Sequence, residues 1–313
     1  FRSKKYQKIE HDQNTSKKAV SYSKMIKFLR SLPGIKNEGM FKLGVFYSKK
    51  KPSYKLKNYE KFSSIQLQTG AKIELLTNQQ TPATHLIYQL HGGGYVIGLV
   101  QHYRKWANKY KNILDVDVAS LDYRIAPEFT HPAALDDAVE GYDLLIQQYQ
   151  PQNIFVIGDS AGGNLALTLC LKLREQSKQM PKALILMSPY GDMSHTNTTY
   201  ITKGQMDPLL GYKLGMSPMF QPYLGTANPQ DPLVSPIHAN FQGFPDTLIQ
   251  VGTNEMLESD SDTINQKMLD NNVNVQLHKF VGLFHVFQMF NNLPESKQAW
   301  EEIYQFIRQR KSE

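Results

Sequence analysis

Apolar strand-like segments alternate with amphipathic helical segments along most of the chain, and this alternation constrains the fold more than any other feature. Short apolar runs predict buried strands, among them THLIYQL, VDVASLDY, NIFVIGD, ALILMSP and DTLIQVG. The segments between them repeat apolar residues at helical spacing, as in HPAALDDAVEGYDLLIQQY. Strands that are apolar on both faces need helices on both faces, so the pattern predicts an α/β fold with a mostly parallel central sheet.

Two segments depart from this alternation. Residues 1–60 are predicted to be helical and are rich in lysine, whereas residues 190–224 show no clear strand. The second segment is rich in methionine and aromatic residues, which favour adaptable apolar contacts with a ligand. Its large side chains are Tyr190, Met193, Tyr200, Met206, Tyr212, Met216, Met219, Phe220 and Tyr223.

The net charge of +7 is concentrated at the N-terminal end. Residues 1–61 hold 17 basic and 4 acidic residues, a balance of +13, so the remaining 18 basic and 24 acidic residues carry −6. Such a basic segment is typical of a solvated lysine-rich surface, and it also allows weak contact with an anionic membrane surface. It contains no zinc-finger spacing or RNA-binding aromatic motif, so we expect no nucleic-acid partner.

The single cysteine and the hydropathy pattern say little about location. Cys170 lies in the apolar helical stretch NLALTLCLKL and is predicted to be a small buried hydrophobic residue. One cysteine allows no internal disulfide, which fits a reducing compartment, and we expect a cytoplasmic protein. No apolar run approaches the ~18–20 residues that a membrane span requires.

The loop HGGGYVIG begins at His91, directly after a predicted strand. Glycine-rich loops in this position hold phosphates or oxyanions, but the spacing does not match G-x-G-x-x-G, because Ile97 stands at the sixth position from Gly92. The loop also lacks the Gly-Lys-Ser/Thr ending of a phosphate-binding P-loop. Two interpretations of the loop therefore remain: a site for a transient oxyanion, or a tight turn that simply requires glycine.

The stretch VIGDSAGGN carries G-x-S-x-G at Gly158–Gly162, between a predicted strand and a predicted helix. In this context the motif forms a sharp turn that projects the hydroxyl group of Ser160, and residues two before and two after the serine must be small. The backbone N–H of Ala161 opens the helix beside that hydroxyl. Ser160 is therefore the candidate nucleophile.

A serine nucleophile needs a base, which follows it in the chain in this architecture. Of the later histidines, His195 and His238 fall in loop-like stretches and His278 falls inside a predicted strand. His285 follows the strand VNVQLHKF in the loop VGLFHVFQMF, where the end of a strand can present it to the serine. We therefore predict that His285 is the base.

The acid of the triad should lie just past a strand. Glu255 comes first after TLIQVG, and Asp260 lies about one turn into the following helix. Glu255 is the preferred candidate, with Asp260 as the alternative.

Together these motifs resemble bacterial members of the hormone-sensitive-lipase-like family of α/β-hydrolases, over about residues 80–290. The resemblance rests on HGGGY, DYRIAPEFTHPAALDDA, GDSAGGNLA, DPLVSPI, IQVGTNE and HVF. It implies a Ser160–His285–Glu255 triad and an oxyanion hole formed by the N–H groups of Gly92, Gly93 and Ala161. The family usually has aspartate in an Asp-Pro-Leu motif at the acid position, whereas this chain has glutamate. Residues expected to contribute to substrate binding are His91, Gly94, Tyr95 and Asp159.

The resemblance also implies a catalytic domain at 61–189 and 225–313, with a helical cap formed by 1–60 and 190–224. The implied activity is hydrolysis of short- to medium-chain acyl esters through an acyl-enzyme, without a metal or organic cofactor. Alternatives are a deacetylase or amidase with the same triad, or a non-catalytic small-ligand-binding protein on the same fold. Family members can also form homodimers through an edge strand.

Overall fold

The computed structural model describes residues 7–11, 15–31, 53–55, 57, 60–78, 81–211 and 218–312. Within them, nine strands form one sheet in the order β1-β9-β8-β7-β6-β4-β5-β3-β2. The strands are Gln7–His11 (β1), Glu60–Gln66 (β2), Lys72–Asn78 (β3), Leu86–Leu90 (β4), Asp117–Asp122 (β5), Ile154–Asp159 (β6), Ala183–Met187 (β7), Asp246–Gly252 (β8) and Val275–Phe280 (β9).

The sheet is mostly parallel, as predicted. β2 and β3 run antiparallel to their neighbours, and every other pair is parallel. The strands in the centre are buried at every position, for example Leu86–Leu90 and Ala183–Met187. This burial on both faces explains their continuous apolar sequence.

Helices cover both faces of the sheet. The longer ones are Lys17–Ser31 (α1), Gln101–Leu114 (α2), Ala133–Leu145 (α3), Ala161–Glu175 (α4), Glu258–Asp270 (α6) and Pro294–Lys311 (α7), and Thr199–Thr202 is a single short turn (α5). Alternate residues of β4 point to opposite faces: Tyr88 packs in the core beneath α3 and α4, and Ile87 packs in the core beneath α2 and α7. This alternation follows from the two-residue period of a strand.

The N-terminal segment differs from its predicted all-helical form. Gln7–His11 is a strand that pairs in parallel with β9 at the edge of the sheet. The helical part begins at Lys17, where Ala19 and Ile26, two turns apart, are buried against a small core that includes Phe284. The prediction failed for β1 because a short polar edge strand has no apolar pattern to mark it.

The segment 190–211 forms loops and the short helix α5, without a strand, as predicted. Several of its large side chains lie in the main core rather than on an open surface. These are Tyr190, Met193 and Tyr200, together with Tyr223 further along the chain. Tyr212 and Met216 lie outside the described residues, as does much of 1–60, and the division into a cap and a catalytic domain stays a prediction.

The parallel strands place five loops at one edge of the sheet. The registers pair Leu90 with Gly158, Asp159 with Met187, and Gly252 with Phe280, so these strands end side by side. The loops that follow carry the predicted site residues. Ligand sites in such sheets lie beyond the carboxyl ends of the strands.

Candidate active site

Ser160 occupies a strained turn between β6 and α4. Its φ angle is 52°, which is unusual for a residue other than glycine. The glycines on either side permit the turn: a Cβ atom at Gly158 would lie 2.2 Å from the carbonyl oxygen of Gly162, and one at Gly162 would lie 2.1 Å from that of Leu90. These close contacts fulfil the steric expectation for G-x-S-x-G.

His285 lies within hydrogen-bond distance of the candidate nucleophile. Its Nε2 atom is 3.0 Å from the Oγ atom of Ser160, although the two residues are 125 positions apart. His285 is buried in the loop after β9, while the serine is partly exposed. His278, a later histidine that the sequence analysis set aside, contacts the carboxylate of Glu302 at 2.7 Å instead.

Glu255 lies behind His285. Its Oε1 atom is 3.8 Å from the Nδ1 atom of the histidine, which is longer than a hydrogen bond. Neither of these two atoms has a hydrogen-bond partner among the described residues. The carboxylate therefore lies close enough to His285 for an electrostatic contact but not for a hydrogen bond.

His285 and Glu255 each shift the pKa of the other. Burial would lower the pKa of His285, but the carboxylate of Glu255, with smaller contributions from Asp207 and Asp159, outweighs burial and raises the pKa above its ordinary value. Burial raises the pKa of Glu255, and the contact with His285 offsets part of this change. The carboxylate therefore favours the protonated imidazole that a serine hydrolase forms during reaction.

Asp260, the alternative acid, performs a different task. Its carboxylate accepts hydrogen bonds from the backbone N–H of Gly191 and Asp192, the amide of Asn197 and the hydroxyl of Tyr200. Burial raises its pKa to about 7, and these donors offset part of the change. Asp260 thus holds the segment after β7 against α6, and the structure brings only Glu255 to His285.

Ser188 is a buried residue at the site that the sequence interpretation did not identify. It follows β7 with a φ angle of 49°. Its hydroxyl donates to Oε2 of Glu255 at 2.9 Å and accepts the N–H of Val286 at 3.2 Å. One side chain therefore connects the acid to the residue after His285. Its place after a buried strand at the site edge, in MSPY, was the available signal.

The structure corrects one member of the predicted oxyanion hole, Gly92. The N–H of Gly92 is already used, because it donates to the hydroxyl of Tyr103 at 2.8 Å and to the carboxylate of Asp159 at 3.0 Å. The same hydroxyl donates to the other oxygen of Asp159 at 2.9 Å. Gly92 thus fastens the loop to the residue before Ser160, and Tyr103 was not found from the sequence.

The next two glycines have the geometry of a backbone donor site. Gly93 and Gly94 have φ angles of 113° and 62°, and the structure gives their N–H groups no acceptor among the described residues. A Cβ atom at Gly93 would lie 2.8 Å from Ile97. The N–H of Ala161, at the start of α4, is also free of an intrahelical partner because it lies in the first turn.

The side chains of His91, Tyr95 and Asp159, predicted to contribute to substrate binding, are buried instead. His91 stacks on Tyr123 with ring centroids 4.0 Å apart, and burial lowers its pKa to about 4. The hydroxyl of Tyr95 donates to Asn164 at 2.6 Å. Burial raises the pKa of Asp159 to about 6, although Tyr103 and Gly92 donate to it. These side chains support the loop from below and do not face a substrate.

Within the part of the chain that the structure describes, no group of three or more His, Cys, Asp or Glu side chains is arranged to hold a metal ion. No helix among the described residues is both long and apolar enough to span a membrane.

Comparisons with known proteins identify the family to which the chain belongs. A family model for the α/β-hydrolase fold matches residues 87–289. An esterase of Acinetobacter venetianus is 37% identical over 229 residues, which cover 72% of this chain and 76% of that protein. An acetyl-hydrolase of Streptomyces hygroscopicus is 33% identical over 225 residues, covering 71% and 75%. The crystal structure of an esterase from the bacterial hormone-sensitive lipase family superposes with a TM-score of 0.79 at 31% identity, covering 95% of this chain and 99% of that one.

The chain belongs to the hormone-sensitive-lipase-like family of α/β-hydrolases, and it is a carboxylic ester hydrolase.

Proposed function

We propose that this enzyme hydrolyses short- to medium-chain acyl esters through a covalent acyl-enzyme on Ser160. The observation that carries the proposal is the 3.0 Å contact between Oγ of Ser160 and Nε2 of His285 at a strained turn. A serine hydroxyl is a weak nucleophile unless an adjacent base removes its proton. His285, with Glu255 behind it, supplies that base.

The reaction follows from these positions. Oγ of Ser160 attacks the ester carbonyl carbon while Nε2 of His285 takes its proton, and the carbonyl oxygen becomes negative. The C–O bond to the alcohol then breaks, and the alcohol leaves with the proton from His285. Water, deprotonated by the same histidine, attacks the acyl-enzyme and releases the carboxylic acid and Ser160. Glu255 stabilises the imidazolium in both halves of the reaction.

The negative oxygen is assigned to the backbone N–H groups of Gly93, Gly94 and Ala161. This set replaces Gly92, whose N–H is used within the protein. A donor of this kind typically contributes about 100- to 1000-fold to the rate. Glycine at positions 93 and 94 supports the assignment, because both positions have positive φ angles.

The preference for short acyl chains is supported by one relative's name, acetyl-hydrolase. The same name favours a second candidate, a deacetylase that acts on acetylated alcohols or amines. Both reactions pass through the same acyl-enzyme, so the leaving group distinguishes them. A cytoplasmic location, a homodimer and the absence of a nucleic-acid partner stay predictions.

Kinetics with a series of p-nitrophenyl esters of increasing chain length, beside acetylated sugars and anilides, would test the proposal. We expect kcat/KM to peak at short or medium chains, and Ser160→Ala to abolish turnover. Ser312→Ala, an exposed serine near the C-terminus, is the matched control and should keep full activity. Wild-type rates in Ser160→Ala would contradict the mechanism, and a peak at long chains would contradict the substrate range.

A further inference from the structure

Helix α1 carries more exposed large apolar side chains than any other described helix. Of the nine large apolar side chains that are exposed among the described residues, four lie on the 15-residue helix α1. They are Val20, Met25, Phe28 and Leu29, and Phe28 is 63% exposed. The helix α7, which is longer, has none among its described residues. An apolar cluster of this kind marks an interaction surface more often than scattered single residues do.

The charges on the same surface are all positive. Lys17, Lys18, Lys24 and Lys27 are exposed on α1, and the helix contains no acidic residue. By contrast, α7 mixes both signs, with Glu295 in its first turn and Arg308 and Lys311 in its last. We call the lysines and the four exposed apolar residues of α1 its outer face.

The opposite side of α1 is fixed to the protein. Ala19 and Ile26 are buried against the loop that carries His285, and the ring of Tyr22 packs edge-on against Phe290 with centroids 5.3 Å apart. At the start of the helix, the carboxylate of Glu295 accepts hydrogen bonds from the N–H and hydroxyl of Ser16. The outer face therefore cannot turn inward without breaking these contacts.

Other apolar residues lie near this helix. The carbonyl of Val281, itself 40% exposed, accepts a hydrogen bond from Thr15 at 2.9 Å, just before α1 begins. Leu209, which is partly buried, packs on the same small core as Ala19.

We propose that the outer face of α1 binds the surface of a membrane that contains anionic lipids. Interfacial helices place lysines beside exposed Phe, Leu and Met, so that apolar groups enter the headgroup boundary while the lysines meet anionic headgroups. The charge distribution selects this side, because the sequence of α1 has five basic residues and no acidic one, whereas residues 62–313 carry a balance of −6. A body of that sign is repelled by an anionic surface, whereas the helix is attracted.

The position of α1 also determines where the candidate active site lies when the outer face is bound to a membrane; this step rests on the proposed function. α1 packs on Phe284, the residue before His285. Binding through the outer face therefore holds the candidate active site beside the membrane, where apolar esters are concentrated.

The test is co-sedimentation of the full chain with vesicles of phosphatidylcholine alone or mixed with phosphatidylglycerol. We expect binding only to the mixed vesicles, and binding that weakens as salt rises. Lys24→Glu with Lys27→Glu should weaken binding at least about 25-fold, since each lysine near such a surface contributes about fivefold. Lys61→Glu with Lys105→Glu, which changes two exposed lysines on β2 and α2 by the same charge, should have a much smaller effect.

A second pair of variants tests the apolar contribution. Met25→Glu should reduce binding about tenfold, whereas Ile113→Glu, at a residue of similar exposure on α2, should not. Hydrolysis of a soluble p-nitrophenyl ester should be unchanged in both, so a failure here is distinguishable from a failure of the proposed function. No binding to mixed vesicles at low salt, equal losses in the matched variants, or a wild-type dimer that Met25→Glu dissociates without any vesicle binding would each overturn the proposal.

Discussion

The acid–histidine side of the site and the oxyanion side are held in place by different kinds of contact. On the first side, the contacts are between side chains from three loops, with Ser188 connecting Glu255 to the residue after His285. On the second, the donors are backbone groups, and a buried tyrosine and aspartate hold the loop that carries them. Substitutions can therefore change the reacting groups of the first side directly. On the second side they can change only the side chains that hold the loop, Tyr103 and Asp159.

The largest expected effect is the fall in kcat when the proposed triad acid loses its charge, and it decides between Glu255 and Asp260. Glu255→Gln keeps the shape but removes the charge behind His285, and should lower kcat by about 10³- to 10⁴-fold. Asp260→Asn removes one of several hydrogen bonds that hold residues 191–200, which should cost about 1–3 kcal/mol of stability. We expect kcat of Asp260→Asn to stay within about tenfold of wild type. Ester-hydrolysis kinetics and thermal unfolding measure the two effects, and the reverse ranking would assign the acid to Asp260.

The oxyanion side is tested through Tyr103, whose hydroxyl lies between Gly92 and Asp159. Tyr103→Phe leaves the N–H of Gly92 bound only to Asp159 and loosens the loop. We expect kcat to fall about tenfold, less than the loss of a direct oxyanion donor. Tyr110→Phe is the matched control, because Tyr110 is buried on the same helix and its hydroxyl has no partner among the described residues. Equal rates in both variants would show that the tyrosine does not position the loop.

Ser188→Ala should have a smaller effect on the acid–histidine side. It removes the hydrogen bond to Oε2 of Glu255 but leaves the charge, so kcat should fall by about fivefold with KM unchanged. Ser261→Ala, at a buried serine on α6, should leave both constants unchanged. A rise in KM alone in Ser188→Ala would contradict a positioning role.

The smallest expected effect is a shift in the pH dependence of kcat/KM, which should differ between variants of the two sides. His285 must be neutral to accept a proton, and Glu255 raises its pKa above the ordinary value near 6.5, so kcat/KM should rise with pH through a midpoint above 6.5. In Glu255→Gln the largest influence that raises this pKa is lost, while burial and the weaker attraction of Asp207 and Asp159 remain, so the midpoint should shift to lower pH. In Tyr103→Phe the midpoint should move much less, because Tyr103 acts on His285 only through Asp159, a minor contributor to the pKa of the histidine. A profile that is unchanged in Glu255→Gln would separate that carboxylate from the histidine.

The sequence predicted features that depend on residues within one motif better than features that depend on residues far apart in the chain. The Gly158–Gly162 turn is governed by residues within one motif, and its steric demands can be stated from the sequence alone. The use of the Gly92 N–H depends on Tyr103 and Asp159, which reach it only in the folded chain. Glu255 and Asp260 are five residues apart and both buried, so only the direction of each side chain separates them. The edge strand β1 was missed because its pairing with β9 lies more than 250 residues away.

The most direct test of the central claim is the chemical identity of the acylated residue. The enzyme would be treated with a fluorophosphonate, or quenched during turnover of a p-nitrophenyl ester, and the adduct located by peptide mass spectrometry. We predict a single adduct on the peptide that contains Ser160, at one equivalent per chain, and none in Ser160→Ala. An adduct on another residue, or ester hydrolysis at the wild-type rate in Ser160→Ala, would contradict the account.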